Sequence, residues 1–173
     1  MICKLFSETH FRDVYNDLNY TEKAHYDNAN KSTEALFDVF LSYNINDQVV
    51  VKGIYYSLRK KGVSVYLDSI IDPHLRRENC NKATALLLHK RLLNSRSLIY
   101  ASSANASQSK WMAWELGVVD GNRRKCFILP VSNDFHVDFV RKEFLQIYPL
   151  IKVDEYNRWM MEMPDYSYSD FRL

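Results

Sequence analysis

The chain has 173 residues, a length that suits one domain with a modest extension. Hydrophobic residues make up 47% of it and charged residues 25%, a globular balance that excludes a largely disordered chain or a coiled coil. The formal net charge is only +2, so the sequence gives no electrostatic reason to expect a nucleic-acid partner.

The cysteines and histidines give no sign of a metal site. Cys3, Cys80 and Cys126 are odd in number, far apart and without CxxC spacing, which fits a reducing compartment and argues against a disulfide framework or a zinc site. The histidines show no HxH or HxxxH spacing, so we expect no bound metal. No run approaches the roughly 18–20 apolar residues of a membrane span, and we therefore expect a cytoplasmic protein without a membrane partner.

The first 34 residues are predicted to form a helix and a polar, Asn-rich linker. Residues 5–18 place apolar side chains at approximately helical spacing. These side chains are Phe6, Phe11, Val14, Tyr15 and Leu18. We expect this helix to pack against the main domain.

The core is predicted to begin with a buried strand at residues 35–42, whose unbroken hydrophobicity suits a parallel sheet covered on both faces. A turn at 44–47 follows, with Asp47 as the candidate N-cap of the next helix. Apolar residues recur at helical spacing over 48–61, and Gly62 is a typical C-terminal stop.

Residues 63–68 are predicted to form a second strand. An irregular loop is expected over 69–79, where Pro73 interrupts regular structure. A helix rich in Leu and Ala is predicted over 82–94, and a third strand over 97–102.

A loop of small residues follows at 103–109 and leads into a helix over 111–119. A fourth strand is predicted at 126–131, and a last short helix or strand at 144–153. The polar and aromatic tail, 160–173, cannot be placed from its pattern.

Strands and helices alternate through the whole core. This order predicts βαβ units with right-handed crossovers and therefore a parallel sheet with helices on both faces. Ligands of such sheets bind beyond the carboxyl ends of the strands. Those ends correspond to residues 42–47, 68–77 and 101–109, all polar, and this edge is where we expect function.

Glycine-rich phosphate loops are absent. The chain has only four glycines, at 53, 62, 117 and 121, and none belongs to a GxGxxG or GxxxxGK[ST] motif. A GxSxG elbow is missing as well. A nucleotide would therefore have to bind by another geometry.

Three blocks of sequence, in the right order, resemble the TIR-domain family. Phe37-Asp-Val-Phe-Leu-Ser-Tyr43 looks like the first strand of TIR domains, and Gly62-Val-Ser-Val-Tyr-Leu-Asp68 looks like the second. Ser109-Lys-Trp-Met-Ala-Trp-Glu-Leu116 is similar to the SxWxxxEL helix of the family. The resemblance implies a flavodoxin-like TIR fold over residues 35–153, preceded by the helical extension 1–34 and followed by the tail 154–173.

A closer likeness exists to stand-alone bacterial TIR proteins of the ThsB type in Thoeris antiphage defence. It rests on Asp72-Pro-His-Leu-Arg-Arg77 and on the segment from Tyr100 to Gly121. Members of that type often have Pro where this chain has Ala113, a change that suits a helix interior. The likeness implies a signal derived from ADP-ribose, of a cyclic form, that a separate effector protein reads.

Enzymatic TIR domains cleave the nicotinamide–ribose bond of NAD+, and Glu115 matches their catalytic glutamate. NAD+ is then the substrate, and no further cofactor is expected. The leaving group departs as neutral nicotinamide and needs no general acid, unlike the leaving group of a two-carboxylate glycosidase. An ionised Glu beside the ribose would stabilise the oxocarbenium-like transition state.

The resemblance also implies which residues bind the substrate. Ser42, Tyr43 and Asn44 stand where the first strand ends, and their hydroxyl and backbone groups are expected near ribose or phosphate. Many NAD-cleaving relatives carry Arg directly after this Tyr. This chain has Asn44, so Arg77 and its neighbour Arg76 are the alternative phosphate ligands.

Two aromatic residues complete the predicted site. Tyr66 matches the aromatic residue of the second strand and is expected either to stack on a substrate ring or to pack in the core. Trp111 lies four residues before Glu115 and would brace its helical turn. Asp68 is expected to have a structural role first.

Two other functions remain open. One is a non-catalytic TIR adaptor that acts through TIR–TIR contacts, although the retained Glu115 favours an enzyme. The other is an enzyme resembling the nucleoside deoxyribosyltransferases, which also use a Glu but act on nucleosides. Self-association is expected in either TIR function, because TIR sites are often completed by a neighbouring chain.

Overall fold

The structure is a computed structural model that describes residues 2–75, 81–133 and 143–173. Five parallel strands form its centre in the order β3-β2-β4-β5-β6. Their bounds are β2 Phe37–Ser42, β3 Val65–Tyr66, β4 Ser95–Ser102, β5 Lys125–Pro130 and β6 Leu150–Asp154. This order confirms the flavodoxin-like α/β class. It also puts the point where the strand order reverses between β2 and β4, the position at which such sheets bind ligands.

Six helices connect and cover the strands within the described residues. They are α1 Glu8–Asp17, α2 Tyr20–Asp27, α3 Gln48–Lys60, α4 Asp68–Ile71, α5 Lys82–Leu93 and α6 Lys110–Gly121. Helix α1 packs on α3, and α5 packs on α6. Right-handed crossovers between the parallel strands put these two pairs on opposite faces of the sheet. The central strands β2 and β4 are buried along almost their whole length, as their apolar sequences predict.

The N-terminal helix is joined closely to the domain. A Cβ atom added at Gly53 of α3 would lie 1.9 Å from the carbonyl oxygen of Phe11 in α1. Phe11 is itself fully buried. Only a residue without a side chain permits this approach, so Gly53 sets the distance between the two helices.

Antiparallel strands at the chain ends extend the sheet beyond its parallel centre. Strand β1, Cys3–Lys4, pairs with the end of β6. The tail that the sequence pattern does not place forms β7, Trp159–Glu162, and β8, Tyr168–Asp170, which follow β6 in an antiparallel meander. The sheet is therefore mixed, with a parallel centre.

Three local predictions have clear outcomes. Helix α3 ends as predicted, and Gly62 takes the left-handed conformation, with φ of 80°. The second strand is shorter than predicted, because Asp68, its expected last residue, already begins α4, and this helix continues into the segment expected to be an irregular loop. Asp47 is not the side-chain cap of α3, because its carboxylate binds a neighbouring loop.

Candidate active site

The candidate site is built around Glu115 in the second turn of α6. The helix begins after Ser109, whose hydroxyl accepts a hydrogen bond from the amide of Met112. The buried face of α6 consists of Met112, Glu115, Leu116 and Val119. Three of these side chains are apolar and the fourth is a carboxylate with no exposed surface. Such burial of a charged group is costly unless polar partners hold it, and it is typical of functional sites.

The partner of this carboxylate is Ser42, the last residue of β2. The Ser42 hydroxyl donates to Oε2 of Glu115 at 2.5 Å, and neither residue is exposed to solvent. Ser42 and Glu115 are separated by 73 positions, and the fold brings them together at the carboxyl end of β2. The predicted edge of the sheet therefore holds both residues. The hydrogen bond fixes the direction in which the carboxylate points.

Tyr100 is a third residue of this centre that the sequence reasoning missed. It is the register partner of Ser42 on the neighbouring strand β4, so both side chains leave the same face of the sheet. Burial, and then the charge of Glu115, raise the pKa of the Tyr100 phenol. A comparison of the residues near the carboxyl ends of β2 and β4 would have identified Tyr100 from the sequence.

A buried polar network joins the loops that follow β2 and β4. Asp47 accepts hydrogen bonds from the Ser103 hydroxyl at 2.5 Å and from the Asn105 amide at 2.7 Å. Asn44 donates its side-chain amide to the carbonyl of Asn105 at 2.7 Å. Asn44 thus lies at the predicted edge, with its side chain bonded inside the protein. The network fixes the two loops that border Glu115.

Tyr43 connects β2 to the start of α4. Its hydroxyl donates to Asp68 at 2.8 Å and accepts from Gln48 at 3.2 Å, and the side chain is buried. This hydroxyl is hydrogen-bonded within the protein, and the expected contact of Tyr43 with a substrate stays a prediction. Asp68 also accepts from the amide of Ser69, which agrees with its expected structural role.

Tyr66 belongs to the core. Its ring has no exposed surface and lies against Phe40 and Phe37, and its hydroxyl donates to Asp72 at 2.9 Å. The ring therefore packs in the core in this structure, which is one of the two expected roles, and stacking on a substrate ring stays a prediction. Arg91 holds Asp72 from the other side with two hydrogen bonds, of 2.9 and 3.0 Å.

The remaining predicted residues have different outcomes. Trp111 is half-buried, and its ring meets that of Trp114 edge-on with centroids 5.4 Å apart, one turn before Glu115. Arg77 and Arg76 lie outside the described residues. Among the described residues, no group of three or more His, Cys, Asp or Glu side chains is arranged to hold a metal ion. In the same part of the chain, no helix combines the length and apolar character needed to cross a bilayer.

Comparison with known families agrees with this geometry. The model of the TIR domain matches residues 39–160, which include the last four residues of β2, the whole of α6 and the Ser42–Glu115 pair. The chain therefore belongs to the TIR-domain family.

Two curated bacterial proteins are similar to this chain. One, from Bacillus cereus (strain MSX-D12), carries the name "Probable 3' cyclic ADP-D-ribose synthase ThsB'" and is 36% identical over 143 residues. That alignment covers 82% of this chain and 72% of the relative. The other, from Cytobacillus dafuensis, carries the name "Putative cyclic ADP-D-ribose synthase TIR2". It is 30% identical over 106 residues, which are 61% of this chain and 28% of that protein.

Proposed function

We propose that this protein cleaves the nicotinamide–ribose bond of NAD+ and forms a cyclic ADP-ribose product. The observation that carries the proposal is the buried pair of Ser42 and Glu115 at the strand-order reversal of the sheet. The names of the two similar bacterial proteins, both cyclic ADP-D-ribose synthases, support the same reaction.

The chemistry needs one carboxylate and little else. When the bond between the ribose C1′ and the nicotinamide nitrogen breaks, both bonding electrons go to the nitrogen, and the positive charge moves from the pyridinium to the ribose. Glu115, buried away from water, would stabilise that charge more strongly than an exposed carboxylate, because the surrounding dielectric is low. Ser42 would hold the carboxylate in position while the charge develops.

Cyclisation follows when a nucleophilic atom of the adenosine half of the same molecule attacks the cationic ribose before water does. That atom forms the new bond to C1′ and loses its proton to solvent or to a neighbouring base. A site closed to water favours this outcome over hydrolysis. The full burial of Glu115 supports such a site. A separate effector protein would then read the product.

The same burial predicts dependence on assembly. Glu115 has no exposed surface, so the ribose can reach it only when neighbouring side chains move. We propose that contacts between copies of the chain favour the open arrangement, and that single chains are nearly inactive. Nicotinamide release per chain should then rise with protein concentration. A rate per chain that is constant over a hundredfold range of concentration would contradict this part of the proposal.

The central experiment is chromatography of NAD+ incubated with concentrated protein, comparing wild type with Glu115→Gln. Glutamine keeps the size of the side chain and its ability to accept from Ser42, but removes the charge. We expect nicotinamide release to fall at least a hundredfold, because loss of transition-state charge stabilisation costs about 3 kcal/mol or more.

A matched control is Glu155→Gln, which removes the same charge from an exposed position. This variant should keep wild-type turnover, and both variants should keep their unfolding cooperativity. Equal turnover by Glu115→Gln and wild type would refute the mechanism. Cleavage of deoxynucleosides in place of NAD+ would favour the transferase-like alternative.

A further inference from the structure

A second site is formed by the N-terminal helices, away from Glu115. An open groove of about 740 Å³ lies between α1, α2, the segment that follows α2, and α3. It contains Tyr15 of α1, Tyr20 of α2 and Tyr56 of α3. Its volume is within the range of small-molecule sites, roughly 300–1,000 Å³. Most of its lining precedes residue 39, where the match to the TIR-domain family begins.

The charge of this groove is positive. Lys23, Lys31 and Lys52 line it from three different parts of the chain, and Asp27 is the only carboxylate among the described residues that line it. His25 also lines it. Three lysines that converge from separate segments attract a multiply charged anion, since like charges at one site repel one another until a ligand neutralises them.

The groove also offers flat aromatic surface. Tyr20 is 88% exposed although it is a large aromatic side chain. The Tyr15 ring, by contrast, is already covered by the Lys23 ammonium, 3.8 Å from its centroid, and stands near Tyr56. Of these rings, Tyr20 is therefore the one whose face is open to a planar ligand group, and stacking on a base would bury it.

One buried acceptor lies in the groove. Oδ2 of Asp27 accepts from the Tyr56 hydroxyl at 3.3 Å, whereas Oδ1 is buried and has no hydrogen-bond partner within residues 2–75, 81–133 and 143–173. Burial raises the pKa of the Asp27 carboxyl above its usual range, against the opposing effect of Lys52, Lys31 and Arg59. A buried acceptor without a donor costs free energy, and a ligand N–H group would remove that cost.

We propose that this groove binds a purine nucleotide. The phosphates bind Lys23, Lys31 and Lys52, the base stacks on Tyr20, and the Asp27 side chain rotates so that Oδ1, which is covered in the free protein, accepts a hydrogen bond from an N–H group of the base. A simple polyanion would not stack on Tyr20 or donate a hydrogen bond to Asp27, and an uncharged aromatic molecule would not form ion pairs with the three lysines. The site is separate from Glu115 and its existence does not depend on the proposed NAD+ cleavage.

The test is isothermal titration calorimetry of the whole chain with ATP as the probe. We expect saturable binding at one site per chain, and at least tenfold weaker binding of both tripolyphosphate and adenosine. The double variant Lys31→Ala/Lys52→Ala should weaken ATP binding at least tenfold, and Tyr20→Ala at least fivefold. Lys60→Ala removes an exposed charge from the end of the same helix α3 and should leave the affinity unchanged.

Glu115→Gln separates this site from the catalytic centre and should bind ATP as wild type does. The proposal is overturned by the absence of binding at millimolar ATP, by unchanged affinity in the double lysine variant, or by loss of binding in Glu115→Gln. It is also overturned if an acidic peptide binds as tightly as ATP. Tyr20, Lys31 and Lys60 are exposed and Lys52 is half-buried, so thermal unfolding of their free variants should match wild type and identify any that misfold.

Discussion

Removing the hydroxyl of Ser42 tests the geometry of the proposed catalytic centre without changing the carboxylate. In Ser42→Ala, Glu115 keeps its burial but loses the donor that lies 2.5 Å from Oε2. A hydrogen bond to a charged group contributes about 1.5–3 kcal/mol. We expect the free energy of unfolding to fall by that amount. For a chain of this size, each kcal/mol corresponds to about 2–4 °C in Tm.

The assay is chemical denaturation of four proteins: wild type, Ser42→Ala, Glu115→Gln and the double variant. If the bond depends on the charge of Glu115, Ser42→Ala should cost less than about 1 kcal/mol once Gln is present at position 115. The coupling energy between the two positions should then exceed about 0.5 kcal/mol. Nicotinamide release by Ser42→Ala should fall about 10- to 100-fold, because the carboxylate is no longer held in direction. Additive losses of stability in the double variant, within about 0.5 kcal/mol, would refute the reasoning.

Three further predictions concern the rest of the fold. Gly53→Ala should lower the free energy of unfolding by about 1–3 kcal/mol or more, because its Cβ would meet the backbone of α1. Gly117→Ala, with nothing within 4 Å of its Cβ, should raise the free energy of unfolding by up to about 1 kcal/mol. Urea denaturation of both variants measures this contrast, and equal effects would contradict it. Arg91→Ala should lower the free energy of unfolding by about 3–5 kcal/mol, since it leaves the buried Asp72 without its cation. Thermal unfolding of the double variant with Asp72→Ala should show that part of this loss is recovered. Fully additive losses in the double variant would show that the pair is not coupled. Burial raises the pKa of the Cys126 thiol to about 12, so iodoacetamide at pH 8 should label this thiol only after denaturation. Peptide mass spectrometry measures the labelling. Rapid labelling of the native protein would mean that strand β5 opens.

The parallel centre of the fold is predictable because its strands are mostly buried. A strand covered on both faces has a largely apolar sequence, and in Phe37–Ser42 only Asp38 is charged. The stop at Gly62 is predictable because few other residues adopt a positive φ without strain. The tail strands β7 and β8 lie at the margin of the sheet and are partly exposed, so their sequences carry no comparable pattern.

The candidate site is predictable only in part, for a related reason. Glu115 and Ser42 belong to contiguous motifs, and the fold brings those motifs together as expected. Asp47 looks like a helix cap from its immediate neighbours, but its true partners, Ser103 and Asn105, are more than 50 positions away. Local sequence cannot show such partners, because they are set by which strand ends lie side by side.

The sheet described here ends in two very short strands. β3 has two residues at one margin and β8 has three at the other. Strands this short offer few unsatisfied backbone groups to another polypeptide, which limits growth of the sheet from one molecule into the next. The association between copies proposed above would therefore have to use helix and loop surfaces, whose side chains can make such contacts reversible.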